Sequence, residues 1–144
     1  MVMKTTDLLS SLRELGLRVT PLKQGILKIL GKGNGPLSIP DIQARLKKMK
    51  LNPNKTSLYR ELETLANVNV VEETQLFQDL RTYELKKKGG HHHHFICEVC
   101  KEVFDFQNEQ LERTIIKIGK SLKRKGHLSK DHHLNLYGLC ASCQ

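Results

Sequence analysis

The carboxyl half of the fold is decided by residues 91–100, HHHHFICEVC, in which four consecutive histidines precede a Cys-x-x-Cys clip. The other two cysteines of the 144-residue chain form a second clip at residues 140–143. Two such clips supply the four sulfurs of a closed structural zinc site. We therefore predict Zn(II) bound by the following side chains: Cys97, Cys100, Cys140 and Cys143. The alternative is two redox-active or disulfide-bonded pairs, which the absence of a secretory signal disfavours.

The composition limits both the size of the core and the class of partner. Hydrophobic residues make up 38% of the chain and aromatic residues 5%, so neither half can build a large apolar core. Small domains of this kind often recruit a metal. The net charge of +9 favours a polyanionic partner, although lysines that serve only for solubility are an equal alternative. Because no apolar run approaches the roughly 20 residues of a membrane span, we expect a soluble, cytoplasmic protein with no membrane partner.

Helical periodicity and capping residues predict four helices in the amino-terminal half. The first covers residues 7–15, and the second starts at Thr20, an N-cap followed by proline at the first helical position. The third starts at Ser38, with Asp41 placed to complete a capping box. The fourth starts after Asn54, which is another residue type that caps helices well.

The fourth helix carries side chains suited to a DNA groove. The following residues place donors and a flat ring in its first two turns: Lys55, Ser57, Tyr59 and Arg60. After this helix, residues 68–71 and 82–85 predict two short strands around a turn near residues 78–79. Helices followed by a two-stranded ribbon indicate a winged helix-turn-helix. A plain helical bundle with a surface hairpin is the alternative.

A charged and glycine-rich stretch, residues 87–90, is the predicted linker. It separates a winged-helix domain of residues 1–86 from a metal-organised domain of residues 91–144. The second domain is predicted to contain three strands and a helix, at residues 95–98, 103–106, 134–137 and about 109–123. The fold class is therefore α+β, with a winged helix-turn-helix domain followed by a small α/β domain that holds the structural zinc site.

The histidine run offers a second set of ligands. If the run is extended, His92 and His94 point one way, and His91 and His93 point the other way. Two metal sites can then be built back to back. Further candidate ligands stand on neighbouring elements: Glu84, Asp105, Glu112, His132 and His133. Imidazole with carboxylate suits Fe(II), Mn(II) or Zn(II). The alternative is a solvated polyhistidine stretch with no metal.

Several short motifs run through the chain from end to end. They are GLRVTP at residues 16–21, SLYREL at 57–62, HHHHFIC at 91–97 and LYGLC at 136–140. In these motifs the chain resembles the ferric uptake regulator family, whose recognition-helix signature is usually written T-V-Y-R-x-L. The most specific part is the pair of histidines five and three residues before a Cys-x-x-Cys, combined with a terminal Y-G-x-C-x-x-C.

The resemblance implies a homodimeric, metal-responsive repressor, with a winged-helix DNA-binding domain and an α/β dimerisation domain. The four cysteines match the family's structural zinc site. A hinge-side regulatory site is matched by Glu84, His92 and His94, with Asp105 a ligand in some branches. An additional site in the dimerisation domain is matched by the following residues: His91, His93, Glu112 and His132. Fe(II), Mn(II) or Zn(II) would act as the regulatory ion.

The resemblance also implies which residues contact double-stranded DNA at a palindromic operator. Arg18 resembles the basic residue that reaches the minor groove, and Tyr59 and Arg60 resemble the recognition-helix contacts. The candidate DNA-binding set is completed by Thr20, Lys55 and Ser57.

Three departures from the family pattern bear on function. Pro36 stands where the regulatory site usually takes a histidine from the DNA-binding domain, which removes one ligand. His93 stands where many relatives have aspartate, which exchanges one ligand type for another. Asn69 replaces a usual glycine, and asparagine tolerates the left-handed conformation. No cysteine is left for the regulatory site, which disfavours a zinc sensor of the usual design.

These features support one main hypothesis and two rivals. In the main hypothesis, a divalent ion at the histidine–carboxylate sites favours the dimer that fits DNA, and a peroxide-sensing variant is included because Asp105 occupies the position associated with it. In the first rival, the protein binds DNA constitutively and all its metals are structural. The second rival is a metal-dependent hydrolase, disfavoured because the sequence offers no distinctive general base.

Overall fold

The structure, a computed structural model, divides into two compact units, Met1–Gly89 and Gly90–Gln144. The residues described are 5–33, 35–77, 80–86 and 92–144. The predicted linker and the predicted turn near residues 78–79 lie outside them. Within the described ranges, none of the helices combines the length and the apolar character that crossing a bilayer requires.

Four helices and a three-stranded antiparallel sheet make up the amino-terminal unit. In chain order the elements are α1 Thr5–Glu14, α2 Pro21–Lys32, β1 Leu37–Ser38, α3 Ile39–Lys48, α4 Lys55–Asn67, β2 Val71–Phe77 and β3 Leu80–Leu85. The strand order is β1-β3-β2. Because β1 precedes α3 and pairs with the hairpin, the ribbon is part of the helical domain. The unit is a winged helix-turn-helix, as predicted.

The predicted helix starts are confirmed by their capping hydrogen bonds. Thr20 Oγ1 accepts the N–H of the residue three positions later at 3.1 Å. Ser38 and Asp41 form the reciprocal capping box, with the Asp41 N–H donating to Ser38 Oγ at 3.3 Å. Asn54 Oδ1 accepts the N–H of Ser57, the third residue of α4, at 2.7 Å. These caps satisfy N–H groups that a helix leaves without backbone partners, so they fix where each helix begins.

The core of this unit draws buried side chains from all four helices and from β2 and β3. Gly25 lies where α2 packs closely against Leu46 and Leu51. A β-carbon at this position would be 2.7 Å from Leu51 Cδ1 and 2.9 Å from Leu46 Cδ2. Glycine therefore allows an approach that a larger residue would obstruct, which offsets its low helix propensity.

The predicted strand at residues 68–71 is wrong. Helix α4 continues to Asn67, and Val68 forms its C-cap. Asn69 then turns the chain with φ +57°, in the left-handed region that the sequence led us to expect it to tolerate. Strand β2 begins only at Val71. Of the three valines that suggested a strand, Val68 belongs to the helix end, Val70 to the turn, and only Val71 to β2.

The carboxyl-terminal unit contains β4 His93–Cys97, β5 Val103–Phe106, α5 Glu109–Arg124 and β6 Asn135–Gly138. Its sheet has the order β5-β4-β6, with β4 antiparallel to β5 and parallel to β6. The α+β class is confirmed. Strand β4 begins two residues earlier than predicted, so the last two histidines of the run lie within the sheet.

Candidate metal centres

The parallel pairing of β4 with β6 brings the two cysteine clips together. Both strands end at the same edge of the sheet, and the Glu98 N–H donates to the Gly138 carbonyl at 2.8 Å. The Cys140 N–H donates to Cys97 Sγ at 3.4 Å. Each clip also closes a turn, with Lys101 N–H bonded to the Cys97 carbonyl at 3.0 Å and Cys143 N–H to the Cys140 carbonyl at 2.9 Å. The sheet thus positions all four thiols at one edge.

The four sulfurs form a compact cluster. All lie within 4.8 Å of one another, and the Sγ atoms of Cys100 and Cys140 are 3.7 Å apart. In a tetrahedral site with Zn–S bonds of about 2.3 Å, sulfur pairs stand about 3.8 Å apart. All four cysteines are free, which contradicts the disulfide alternative. The donor set and its spacing therefore fit Zn(II).

The electrostatics of the cluster agree with a bound dication. Hydrogen bonds from the backbone N–H groups of Cys140 and then Cys100 lower the pKa of Cys97 to about 6. The pKa of Cys143 is raised to about 12, first by its side-chain hydrogen bond with Cys140 and then by burial. One sulfur is thus ready to ionise, while its neighbour resists a second negative charge. A metal cation removes that resistance, because it stabilises every thiolate at once.

A second cluster joins β4, α5 and the segment before β6. His93 Nε2 lies 2.7 Å from Glu112 Oε1, and His132 Nε2 lies 3.3 Å from the same oxygen. The side chain of His93 is 2% exposed, whereas those of Glu112 and His132 are 22% and 23% exposed. These three ligand atoms also lie within 4.8 Å of one another. Two imidazoles and a carboxylate suit Fe(II), Mn(II) or Zn(II), so this cluster fits a divalent ion.

The charge on Glu112 is stabilised by the two histidines. Burial would raise the pKa of Glu112, but hydrogen bonds from His93 and His132 outweigh it and lower the pKa below the usual value. The group is therefore an anion at neutral pH and an acceptor for both rings. A carboxylate oxygen and two imidazole nitrogens are ligand types that a divalent cation accepts.

The histidines of the run alternate between two surroundings, as an extended strand requires. His93 contacts Glu112, whereas His94 Nε2 lies 3.7 Å from Asp105 Oδ1 on the neighbouring strand. The rings of His92 and His94 are 5.0 Å apart, edge to face. The three residues of this second set are thus close within the carboxyl-terminal unit.

Two further candidate ligands are Glu84 and His91. Glu84 is buried on β3 of the amino-terminal unit, where Glu72 is its register partner on β2. His91 lies outside the described residues. Their predicted places in the hinge-side site and in the additional site remain predictions.

The candidate DNA-binding residues occupy the first two turns of α4 and the segment that leads into α2. Lys55, Tyr59 and Arg60 are exposed, and Lys55 Nζ lies 5.9 Å from the centre of the Tyr59 ring. Arg18 is also exposed. Thr20 differs from these residues, because its hydroxyl caps α2 and also contacts Glu61 of α4 at 3.5 Å.

Sequence reasoning missed one structural feature of this surface. Lys23 of α2 and Glu61 of α4 form an ion pair with a distance of 3.0 Å between Nζ and Oε2. Their side chains are only 9% and 20% exposed. In the sequence both residues look like ordinary surface charges, and no spacing rule joins two charges on separate helices.

Comparisons with known proteins agree with this geometry. Residues 14–137 match the family model described as the ferric uptake regulator family. The chain is 29% identical to a ferric uptake regulation protein of Synechococcus elongatus, over 100% of this chain and 97% of that protein. It is 27% identical to the peroxide-responsive repressor PerR of Staphylococcus aureus, over 94% and 88%. A ferric uptake regulator of Francisella tularensis, solved with iron, is similar with a TM-score of 0.72 and 29% identity, over 89% and 95%.

Proposed function

Because the chain belongs to the ferric uptake regulator family, we propose that it is a metal-responsive repressor of transcription that controls metal-homeostasis or oxidative-stress genes. The observation that carries this proposal is the presence, in one small unit, of two chemically different ligand clusters. A closed set of four sulfurs suits a permanent structural ion. The His93–Glu112–His132 set offers imidazole and carboxylate ligands, which suit an exchangeable Fe(II), Mn(II) or Zn(II) ion. The first holds the fold, and the second responds to metal supply.

The amino-terminal unit is the DNA-binding part of this proposal, and the carboxyl-terminal unit is the dimerisation part. In a winged helix-turn-helix, the second helix of the motif enters the major groove, which makes α4 the recognition helix. Tyr59 and Arg60 read base edges, and Lys55 and Arg18 contact phosphates or the minor groove. A homodimer places two such helices on the two halves of a palindromic operator. Because its proposed partner is DNA, we propose that the protein acts in the cytoplasm as a regulator and not as an enzyme.

The regulatory step is a shift between two dimer shapes. A bound divalent ion would supply a positive charge that holds two imidazoles and a carboxylate together. His93 on β4, Glu112 on α5 and His132 before β6 then stay in one arrangement, because each side chain is fixed to a different element. The second set, His92 and His94 with Asp105 and Glu84, is proposed as the hinge-side regulatory site. The free energy available for switching is the difference in metal affinity between the two shapes.

Arg60 provides the first test of DNA reading. We expect Arg60→Ala to weaken binding to a duplex selected by the wild-type protein from a random library far more than binding to an unselected duplex. A bidentate arginine contact to guanine discriminates by about 1–3 kcal/mol, which is about 5- to 150-fold. Arg45→Ala, an exposed arginine on α3, is the matched control. Equal losses on both duplexes in anisotropy titrations at one salt concentration would remove Arg60 from base reading.

A second candidate function is constitutive DNA binding, with all metals structural. Pro36 favours it, because this residue stands immediately before β1 where the family usually supplies a histidine ligand. The two candidates differ in one observable. If a mild chelator removes the histidine-site ion while one zinc per chain stays, the responsive protein loses affinity for the selected duplex. The constitutive protein keeps it.

A further inference from the structure

The recognition helix is tied to α2 by a small polar cluster. Lys23 Nζ lies 3.0 Å from Glu61 Oε2, and the Thr20 hydroxyl donates to Glu61 Oε1 at 3.5 Å. The same hydroxyl accepts the Lys23 N–H at 3.1 Å. Both carboxylate oxygens of Glu61 are therefore engaged by the first turn of α2. The cluster is mostly buried, since Lys23 and Glu61 side chains are 9% and 20% exposed.

Apolar packing alone does not fix the orientation of α4. Its inward stripe is Leu58, Leu62 and Leu65, all fully buried. Apolar burial is non-directional, so this stripe determines which side faces the core but only loosely determines the rotation of the helix about its axis. The carboxylate of Glu61 is held at two points, by the Lys23 ammonium 3.0 Å from Oε2 and by the Thr20 hydroxyl 3.5 Å from Oε1. Because both contacts come from α2, they supply the constraint on rotation that the leucines do not.

That constraint acts beside the residues proposed to read DNA. Glu61 follows Tyr59 and Arg60, and each helical residue advances by 1.5 Å and about 100°. A small rotation of α4 about its axis at Glu61 therefore moves the side chains of Tyr59 and Arg60, which are proposed to lie in the DNA groove. Glu61 also occupies the x of the T-V-Y-R-x-L signature, the position that the signature leaves open.

Folding stability explains the Lys23–Glu61 ion pair less well than the orientation of α4 does. Removing two charges from water costs several kcal/mol per ion, so replacing a buried pair with apolar residues of similar volume is often neutral or stabilising. A carboxylate near a DNA surface is also unfavourable unless a cation neutralises it. Lys23 provides that cation from inside the domain.

We propose that Thr20, Lys23 and Glu61 form a positioning clamp, which sets the rotation of the recognition helix and so contributes to discrimination between DNA sequences. The proposal rests on the DNA-binding function proposed above. It also gives Thr20 a role different from the predicted DNA contact, because its hydroxyl donates to Glu61 and accepts the Lys23 N–H inside the domain. These three residues act through Tyr59 and Arg60 and are positioning residues.

The test compares two double variants on the same two helices. Lys23→Met/Glu61→Leu removes the clamp while keeping apolar volume, and Lys28→Met/Glu63→Leu changes two exposed residues of the same types. Each protein, loaded with zinc and Mn(II), is titrated with a duplex selected by the wild type and with an unselected duplex. We expect the clamp variant to stay folded by circular dichroism and its ratio of the two affinities to fall about tenfold, the equivalent of about 1.4 kcal/mol. The control should change the ratio less than about twofold.

Three outcomes decide the proposal. A folded clamp variant with the wild-type ratio overturns the clamp, because a merely structural role lowers the unfolding temperature without changing that ratio. If the double variant does not fold, the isosteric Glu61→Gln carries the same expectation, and Lys23→Arg should retain the wild-type ratio. A wild type that prefers no selected duplex overturns the proposed function, and the clamp with it.

Discussion

Replacing Cys140 with serine should unfold the carboxyl-terminal unit and leave the amino-terminal unit folded. Cys140 is 8% exposed and donates its backbone N–H to the sulfur of Cys97. Serine keeps the size of the side chain but is a poor zinc ligand. The substitution therefore removes one of the four sulfurs with little change in packing, and any loss of structure is attributable to the metal site.

The expected magnitude follows from how little this unit buries. Among its described residues, the buried hydrophobic side chains are Ile96, Cys97 and Cys140, and α5 buries none. One fully buried isoleucine contributes about 1.5–3 kcal/mol, while ordering the backbone costs about 1–2 kcal/mol per residue. A structural zinc contributes on the order of 10–16 kcal/mol in finger peptides. Loss of the ion is therefore larger than anything that burial within one protomer can replace.

The assay combines zinc content with residue-resolved hydrogen exchange. In the Cys140→Ser variant we expect bound zinc to fall from one equivalent to near zero and the amides of β4 to lose protection. The amides of α2 and α4 should remain protected, since their core is separate. Ser142→Ala, an exposed change inside the same clip, is the control and should behave as the wild type. A zinc-free variant whose β4 amides stay protected would show that zinc does not hold this unit folded.

Three further predictions test other parts of the structure. Glu112→Gln should weaken Mn(II) binding at least about tenfold, in the range for altered metal ligation, while the zinc stays bound. The control Glu109→Gln, one helical turn earlier, should leave Mn(II) binding unchanged. Mn(II) affinity of the two variants is measured by electron paramagnetic resonance titration. Gly25→Ala should lower the urea midpoint of unfolding, because overpacking against two leucine methyl groups costs about 1–3 kcal/mol and outweighs a helix-propensity gain of about 1 kcal/mol. The control Gly119→Ala places its methyl group in open space and should not lower the midpoint. Burial, and then Glu73, raises the pKa of Tyr83 to about 12. The stability that its neutral phenol contributes is therefore present below pH 10 and is lost as the pH rises through 12. In Tyr83→Phe, both this loss of stability and the ultraviolet transition of the Tyr83 phenol should be absent.

Local chemistry explains why the starts of the helices were predictable. Thr20, Ser38 and Asn54 each satisfy an N–H three residues ahead, so the signal lies within four residues of sequence. The cysteine clips are similarly local, and the chain has no other thiols to confuse their pairing. The predicted strand at residues 68–71 was wrong because three valines indicated β-structure, while the helix C-cap and the left-handed Asn69 determined the path of the chain.

The histidine–carboxylate cluster could be predicted only in part. Alternation along an extended segment separates His93 from His94, and the structure shows them in different surroundings. Nothing local to Glu112 or His132 indicates that they meet His93, because their approach depends on how α5 and the segment before β6 lie against β4. The resemblance to a family supplied these partners. The ion pair between Lys23 and Glu61 had no such guide and became visible only in the structure.

Metal-responsive repression requires coupling between the histidine-site metal and DNA affinity. The decisive measurement is a titration of a wild-type-selected duplex with protein that holds one zinc per chain, carried out with and without Mn(II). We predict that Mn(II) tightens binding by about 5- to 150-fold, the usual range for coupled sites, and that Glu112→Gln reduces this gain. Equal affinity in both conditions, with Mn(II) shown to be bound, would mean that the protein is not a metal-responsive repressor.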